Sequence, residues 1–212
     1  MNEHELKKEI RAEAAAMLEN TDEEYRSSAS AAIAVNLLAL PEMKKARSVM
    51  LYVSVGKEPA TLALISKLLE VGKKVCLPRC IDSESSGEQT SDGQASGERI
   101  LEARRVKSLD DLTAGSYGIP EPPADDERCP LIPPRKIDLV VLPCVACDAH
   151  CNRLGHGAGY YDRFLQTLND KCTTIALCYD KLLMNEIPME EHDMKVDAVI
   201  TEKAVHRWRP QN

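Results

Sequence analysis

The sequence lacks any apolar run close to the ~20 residues that a membrane-spanning helix requires. It also lacks the pattern of a secretory signal peptide, because its first residues are polar and charged. These two absences predict a cytoplasmic protein with no membrane partner. Internal repeats and a visible domain boundary are missing as well, and 212 residues suit one domain with a proper core. We therefore expect a single domain over residues 1–212.

An excess of positive charge is also absent. The 27 lysines and arginines are outnumbered by 34 aspartates and glutamates, which gives a formal net charge of −7. General nucleic-acid binding needs a basic surface, so we expect no nucleic-acid partner. A small anionic ligand needs only local positive charge. The expected partners are therefore small molecules, bound by a monomer or a weak oligomer.

The eight cysteines lack the arrangement of a usual zinc site. Without a signal peptide, reduced thiols are the default. Cys144, Cys147 and Cys151 are closely spaced, with His150 and His156 nearby, and such a set can hold zinc tetrahedrally. A zinc knuckle normally has two separated ligand pairs, however, and a second pair is missing. We therefore expect no structural zinc, no iron–sulfur cluster and no redox-active pair of Cys144 and Cys147.

Apolar periodicity predicts an α/β fold, with a mainly parallel sheet covered by helices on both faces. Residues 21–24 predict a capping box that begins the second helix, and Pro41 is expected to end that helix. Ligands of such sheets bind beyond the carboxyl ends of the strands. The predicted helices are two within the first 40 residues, 62–71 and 160–168; the predicted strands are 48–54, 74–78, 99–106, 138–142, 173–178 and 197–201.

The most informative segment is residues 153–165, RLGHGAGYYDRFL, a glycine-rich loop between a predicted strand and a predicted helix. Glycines let backbone N–H groups close around an anion, and a helix N-terminus adds positive potential. Arg153 and Arg163 add cations, and Asp162 suits a divalent metal. The segment is neither a Walker A motif nor a dinucleotide fingerprint. From spacing alone, a phosphate site and an ordinary structural turn are equally compatible with it.

The same segment resembles the main motif of the 5-formyltetrahydrofolate cyclo-ligase family, also called methenyltetrahydrofolate synthetases. Other segments match the pattern of that family in order, so the resemblance covers almost the whole chain. These segments are Lys7 with Arg11, residues 58–61 (EPAT), Pro78 with Arg79, residues 117–122 (YGIPEP), residues 138–143 (DLVVLP) and His192 with Asp193.

The resemblance implies an ATP-dependent C–N ligase. Such an enzyme cyclises 5-formyltetrahydrofolate to 5,10-methenyltetrahydrofolate and releases ADP and phosphate. ATP is the implied co-substrate and Mg²⁺ the implied cofactor. Phosphoryl transfer to the formyl oxygen would give a phosphorylated formyl intermediate, which nitrogen-10 of the folate then attacks.

The resemblance also implies roles for individual residues. The implied Mg²⁺ ligands are Asp162 and Asp193, and Arg79 is expected to pair with a phosphate or with the folate glutamate. The implied ATP contacts are Lys7, Arg11, Arg153, Leu154, Gly155, His156, Gly157, Ala158, Gly159, Tyr160 and Tyr161. The implied folate contacts are Val55, Glu58, Tyr117, His156, Gly157, Ala158, Gly159 and Tyr160.

Two positions depart from the family pattern. Ala60 replaces a second carboxylate that contacts folate, and Ala158 replaces a glycine or lysine and would be strained at a positive φ. Three alternatives therefore stay open. They are ATP-dependent activation of another small acid or formamide, non-catalytic binding of folate or nucleotide, and a metal-binding regulator built on the cysteines.

Residues 82–97 are polar and of low complexity, which predicts a mobile surface insert. We expect that replacing them with a short Gly-Ser linker leaves catalytic activity within a few-fold, because the segment holds no large apolar residue to bury. Activity and melting temperature of the shortened protein test this. A shortened protein that fails to fold would show that the insert packs against the domain.

Overall fold

The computed structural model describes residues 2–82 and 99–208. Apart from Asp82, the predicted insert lies outside these residues. The helices are α1 (Glu3–Glu19), α2 (Glu23–Ala39), α3 (Pro41–Lys45), α4 (Leu62–Glu70) and α5 (Tyr160–Leu165). The strands are β1 (Ser48–Met50), β2 (Lys74–Asp82), β3 (Arg99–Val106), β4 (Thr113–Ala114), β5 (Pro120–Glu121), β6 (Leu139–Leu142), β7 (Ala146–Asp148), β8 (Arg153–Leu154), β9 (Thr173–Leu177), β10 (Leu183–Met184), β11 (Ala198–Ile200) and β12 (Val205–Arg207).

One large sheet organises the chain. Its seven strands lie in the order β12-β11-β9-β6-β1-β2-β3. The five inner strands run parallel, and the two edge strands pair antiparallel to their neighbours. Helices flank the sheet, with α4 against β2 and α2 against β11. The predicted α/β fold with a mainly parallel sheet is therefore confirmed.

The middle strands form the centre of the core. All four residues of β6 and all three of β1 are buried, because parallel strands are covered on both faces. From α2, Ile33 and Leu37 are fully buried against this core, and from α4 so are Ile65 and Leu68. None of the helices in the described ranges is long and apolar enough to cross a bilayer.

The predicted start of the second helix was wrong by one residue, whereas its predicted end before Pro41 is confirmed, because α2 ends at Ala39. Its N-cap is Asp22, whose side chain accepts a hydrogen bond from the Tyr25 amide at 2.6 Å. Thr21 instead donates its hydroxyl to the Met17 carbonyl of the preceding helix, so no capping box forms here. Aspartate is an equally good N-cap, which explains the change. Pro41 occupies the first turn of α3, where the missing N–H of proline costs nothing.

Strand 48–54 was predicted too long, because β1 ends at Met50. Beyond Met50, side chains form hydrogen bonds with backbone carbonyls a few residues away in the same segment. Tyr52 donates its hydroxyl to the Pro59 carbonyl, and Thr61 donates its hydroxyl to the Tyr52 carbonyl. Leu51 still donates its amide to the Cys76 carbonyl of β2 at 3.0 Å, and the local bonds fold the chain beyond it away from the sheet at the carboxyl end of β1. The short strands β7, β8 and β10 form a separate small sheet that was not predicted.

A buried carboxylate fixes the turn between β7 and β8. Asp148 is fully buried and accepts two hydrogen bonds on each oxygen. Its Oδ1 accepts from the amides of His150 and Asn152, both at 2.9 Å. Its Oδ2 accepts from the Asn152 side chain at 2.7 Å and from the Ile187 amide at 2.9 Å. This network positions the start of β8 and the loop that follows.

Asp148→Asn should lower the free energy of unfolding by about 2–3 kcal/mol. The substitution replaces one carboxylate oxygen with an NH₂ group, which faces N–H donors and leaves them without an acceptor. Urea denaturation measures the loss. Asp170→Asn is the matched control, since Asp170 is exposed and its replacement should change little. Equal stability of the two variants would contradict the role given to Asp148.

Candidate active site

The glycine-rich loop joins β8 to α5 and turns at two left-handed residues. Gly157 and Gly159 have φ values of 101° and 68°, and Gly159 is the N-cap of α5. Side chains are strained at such angles, which explains glycine at both positions. Gly155 has a different reason, because a Cβ atom there would lie 2.9 Å from Nη1 of Arg153.

Ala158 fits into this loop without backbone strain. Cys151, with φ of 63°, is the one non-glycine residue of the described ranges in the left-handed region, so Ala158 lies outside that region. The strain considered for a methyl group here is absent. The Ala158 carbonyl accepts a hydrogen bond from Arg163 at 3.1 Å, which ties the loop to α5.

Arg153 points into the protein. Its side chain is 2% exposed, and its Nη2 donates to Oδ1 of Asp162 at 2.9 Å. Its Nη1 donates to the Pro143 carbonyl at 3.3 Å, and its guanidinium lies 5.8 Å from the centre of the Tyr161 ring. The ion pair thus joins β8 to α5. A direct phosphate contact of Arg153, or a metal contact of Asp162, requires this pair to open or to share an oxygen.

Helix α1 contributes two cations from one face. Arg11 donates from Nε to the Gly155 carbonyl at 2.9 Å, and a Cβ atom on Gly157 would lie 3.6 Å from its guanidinium. Lys7 lies one turn earlier on the same face, as their spacing predicts. In the structure, Arg11 therefore contacts the glycine-rich loop, whereas Lys7 contacts other residues.

The partner of Lys7 is an acidic pair near the C-terminus. The Lys7 ammonium is buried between Glu190, at 2.5 Å, and Asp193. Burial alone would lower the pKa of Lys7, but hydrogen bonds to Asp193 and Glu190 raise it above its ordinary value. His192 lies 3.8 Å from Glu190. Glu190 was missed from the sequence, because nothing in its local pattern distinguishes it from the neighbouring acids.

Glu58 is held in place from three sides. Its Oε2 accepts from the Val55 amide at 2.9 Å, its Oε1 lies 3.2 Å from His156 Nε2, and its carbonyl accepts from the Tyr179 hydroxyl at 3.2 Å. The Glu58 side chain is 13% exposed. The hydrogen bond that the His156 ring donates to the Glu58 carboxylate raises the pKa of His156 above its usual value. Two residues predicted as folate contacts from distant parts of the sequence thus touch.

A cavity of about 190 Å³ opens beside this pair. Its wall includes Arg11, Glu58, Cys144, His156, Cys178 and Tyr179. Cys144 follows β6 and Cys178 follows β9, so the cavity lies at the carboxyl edge of the parallel sheet, where ligands of such folds bind.

The cysteines group differently from the set weighed in the sequence. Cys151 lies apart, with its sulfur 3.6 Å from the His206 carbonyl. Its place is taken by Cys178, whose sulfur lies with those of Cys144 and Cys147 within 4.8 Å of one another. Sequence spacing could not reveal Cys178, because it arrives on a neighbouring strand.

The remaining predicted residues have other partners or positions. Leu154 is buried, and its carbonyl accepts from the Val145 amide at 2.7 Å. Tyr160 begins α5. Arg79 donates to the Pro122 carbonyl at 2.9 Å. Tyr117 lies in the short turn Ser116–Gly118, and its side chain falls outside the described part of the structure.

Comparison with known proteins agrees with this architecture. The sequence profile of the 5-formyltetrahydrofolate cyclo-ligase family matches residues 3–202. The 5-formyltetrahydrofolate cyclo-ligase of Mycolicibacterium smegmatis is 34% identical over 160 residues, which are 74% of each chain. The mouse cyclo-ligase is 28% identical over 200 residues, or 92% of this chain and 93% of the relative. The solution structure of 5,10-methenyltetrahydrofolate synthetase from Aquifex aeolicus is 30% identical, with a TM-score of 0.78 over 98% of this chain and 95% of that one.

Asp162→Asn should lower the free energy of unfolding by about 1–3 kcal/mol without any ligand, because a buried guanidinium loses its counter-charge while keeping an acceptor. Thermal or urea denaturation measures this. Asp126→Asn is the control, since Asp126 pairs with Arg104 from a side chain that is 79% exposed, and such pairs contribute at most about 1 kcal/mol. A smaller loss for Asp162→Asn than for the control would count against the inward role of Arg153.

Glu58→Gln should return the pKa of His156 toward its ordinary value, because the neighbouring carboxylate raises it. Since the folded value is the raised one, the pair stabilises the fold below the unfolded histidine pKa and loses that effect as the pH rises through the folded pKa. NMR titration of the ring protons reads this directly. Glu186→Gln, an exposed control, should leave His156 unchanged, and an unshifted His156 in Glu58→Gln would refute the pairing.

Proposed function

The chain belongs to the 5-formyltetrahydrofolate cyclo-ligase family, and on that basis we propose that the glycine-rich loop binds ATP while the cavity beside Glu58 binds the folate. The chain is an ATP-dependent ligase that converts 5-formyltetrahydrofolate to 5,10-methenyltetrahydrofolate. The observation that carries the assignment of the two substrates is the convergence of loop, α1 and cavity at one sheet edge.

The reaction needs activation of a poor electrophile. The formyl oxygen would otherwise have to leave as hydroxide, so transfer of the γ-phosphate of ATP to that oxygen supplies a better leaving group. Nitrogen-10 then attacks the formyl carbon and phosphate departs. The task of the protein is to align the two substrates and to neutralise the moving negative charge.

The triphosphate would lie along residues 155–159, with Arg11 beside it. Arg11 contacts the Gly155 carbonyl through Nε alone, and a guanidinium can offer further N–H donors to phosphate oxygens. Arg153 supports the same loop from beneath through Asp162. In this proposal, Arg11 carries the direct contact and Arg153 keeps the loop in shape.

Mg²⁺ is proposed at the acidic side of the site. Asp193 lies with Glu190 and His192 in a group whose donor atoms are within 4.8 Å, and carboxylate oxygens are ligands that suit Mg²⁺. Asp162 is the second proposed ligand, and its bond to Arg153 uses one of its two oxygens. When bound, Mg²⁺ would balance the charge of the phosphates. Lys7 already holds Asp193 in place.

The folate is proposed to meet Glu58, Val55 and His156. A carboxylate matches the paired N–H groups of a pterin ring, and Glu58 is preset by the Val55 amide. Ala60 offers an exposed methyl group where the family pattern has a second carboxylate. This absence supports a second candidate, ATP-dependent activation of another small formamide or acid on the same machinery.

Purified protein should form the methenyl product only when both ATP and Mg²⁺ are present. The absorbance band of that product measures the reaction. Omission of ATP, and separately removal of Mg²⁺ by a chelator, should each abolish product. Folded protein that shows no product with all components would refute the proposed folate substrate. ATP consumption driven by another formamide in the same protein would favour the second candidate.

Arg11→Ala should reduce kcat/KM for ATP about ten- to a hundredfold, because one charge-assisted contact contributes roughly 1.5–3 kcal/mol. Lys8→Ala is the matched control, since Lys8 lies on the same helix with its side chain exposed, and it should leave kcat/KM near the wild-type value. Steady-state ATP titrations on both variants decide the matter. Equal effects of the two substitutions would remove Arg11 from the ATP site.

A further inference from the structure

Three thiols meet at the carboxyl edge of the sheet. Cys144 follows β6, Cys178 follows the adjacent strand β9, and Cys147 lies in β7. Their sulfur atoms lie within 4.8 Å of one another, and those of Cys144 and Cys147 are 3.2 Å apart. None of these thiols is needed for the phosphoryl transfer described above.

The three thiols differ in access. Cys144 and Cys178 line the cavity, whereas Cys147 is fully buried and does not. A small oxidant that enters the cavity therefore meets Cys144 with Cys147 directly behind it. This is the arrangement of an attacking thiol and a shielded partner.

Contrary to the expectation from sequence spacing, we propose that Cys144 and Cys147 form a peroxide-reactive thiol pair that closes to a disulfide at the cavity wall. The Cys144 thiolate attacks one oxygen of hydrogen peroxide, and with one proton taken up it becomes a sulfenic acid while water leaves. The Cys147 sulfur then attacks the Cys144 sulfur, the S–O bond breaks, and a second water carries off the oxygen with the thiol proton. Two thiols and one peroxide thus give one disulfide and two waters, with two electrons passing from sulfur to oxygen.

The geometry requires little movement. A disulfide bond is about 2.05 Å long, so the two sulfur atoms must approach by roughly 1 Å. The pair is separated by two residues, Val145 and Ala146, the spacing found in redox-active Cys-X-X-Cys motifs. Cys178 also lies within 4.8 Å of both sulfurs. We assign Cys147 as the partner because its sulfur lies 3.2 Å from that of Cys144.

The surroundings favour Cys144 as the reactive sulfur. Hydrogen bonds from Cys147 and Cys178, with the charge of Arg153 nearby, hold the pKa of Cys144 below its usual value. Other buried thiols show the opposite, since burial raises the pKa of Cys172 to about 12 and that of Cys76 to about 11. Because the thiolate is the reactive form, oxidation should select Cys144 over those thiols.

The test exposes fully reduced protein to hydrogen peroxide and maps the thiols by mass spectrometry. The expected result is loss of two of the eight thiols and a peptide crosslinked between Cys144 and Cys147, with both thiols restored by dithiothreitol. Cys172→Ala, the matched buried control, should form the same crosslink. Cys147→Ala should lose it and leave Cys144 as a sulfenic acid that a 1,3-diketone probe traps.

Several results would overturn the proposal. A crosslink between Cys144 and Cys178, oxidation that begins at another cysteine, or a stoichiometric metal ion bound by unreactive thiols would each do so. Should Cys147→Ala fail to fold, Cys147→Ser offers a smaller change, and the crosslink map of the wild-type protein still decides.

A consequence for catalysis rests on the proposed function. Cys144 follows Pro143, whose carbonyl accepts from Arg153, and it also forms part of the cavity wall. Oxidation should therefore reduce cyclo-ligase activity in proportion to the disulfide formed, with recovery in dithiothreitol. Protein that shows no cyclo-ligase activity before oxidation would refute the proposed folate substrate and leave the disulfide proposal standing, because the crosslink map does not depend on catalytic turnover.

Discussion

The ion pair between Arg153 and Asp162 is the contact on which the site depends. A guanidinium with 2% exposure needs a counter-charge within the protein, and its carboxylate partner comes from the next helix. The pair therefore fixes the distance between β8 and α5, and with it the span of the loop between them. It also explains Gly155, since the buried guanidinium occupies the space that a side chain would need. The loop is shaped before any ligand arrives, which lowers the ordering cost of binding.

Helix α1 completes the site from outside the sheet. Its two cations diverge, with Arg11 on the loop and Lys7 on the acidic pair near the C-terminus. The two carboxylates proposed for Mg²⁺ are thereby each matched by a protein cation, Asp162 by Arg153 and Asp193 by Lys7. Under that proposal, Mg²⁺ would meet carboxylates that already have cationic partners in the protein, with Lys7 shared between Asp193 and Glu190.

The sequence predicted the fold class, the parallel inner sheet and the long helices, because these depend on hydrophobic periodicity. Strand 99–106 agrees with β3 residue for residue. Short elements were missed, since two or three residues carry no periodicity, and β1 was overestimated because side-chain bonds in the following turn carry the chain off the sheet. The inward direction of Arg153 was invisible as well. In the sequence, an arginine beside a glycine-rich loop predicts a phosphate contact. Its burial in the structure comes from the pairing of β8 with β7 and from the Pro143 carbonyl, which the sequence does not reveal.

The same topology that would bring the two substrates together also brings the sulfur atoms together. Parallel neighbours end at one edge, so a cysteine after β6 and another after β9 must come together there, as the ligand site must. A substrate in the cavity would then cover Cys144, since that residue is part of the wall. Oxidation and substrate binding would thus compete for one surface, so the idle enzyme would be the form that peroxide modifies. Oxidation of the thiol pair would therefore depend on whether substrate fills the cavity as well as on the concentration of peroxide.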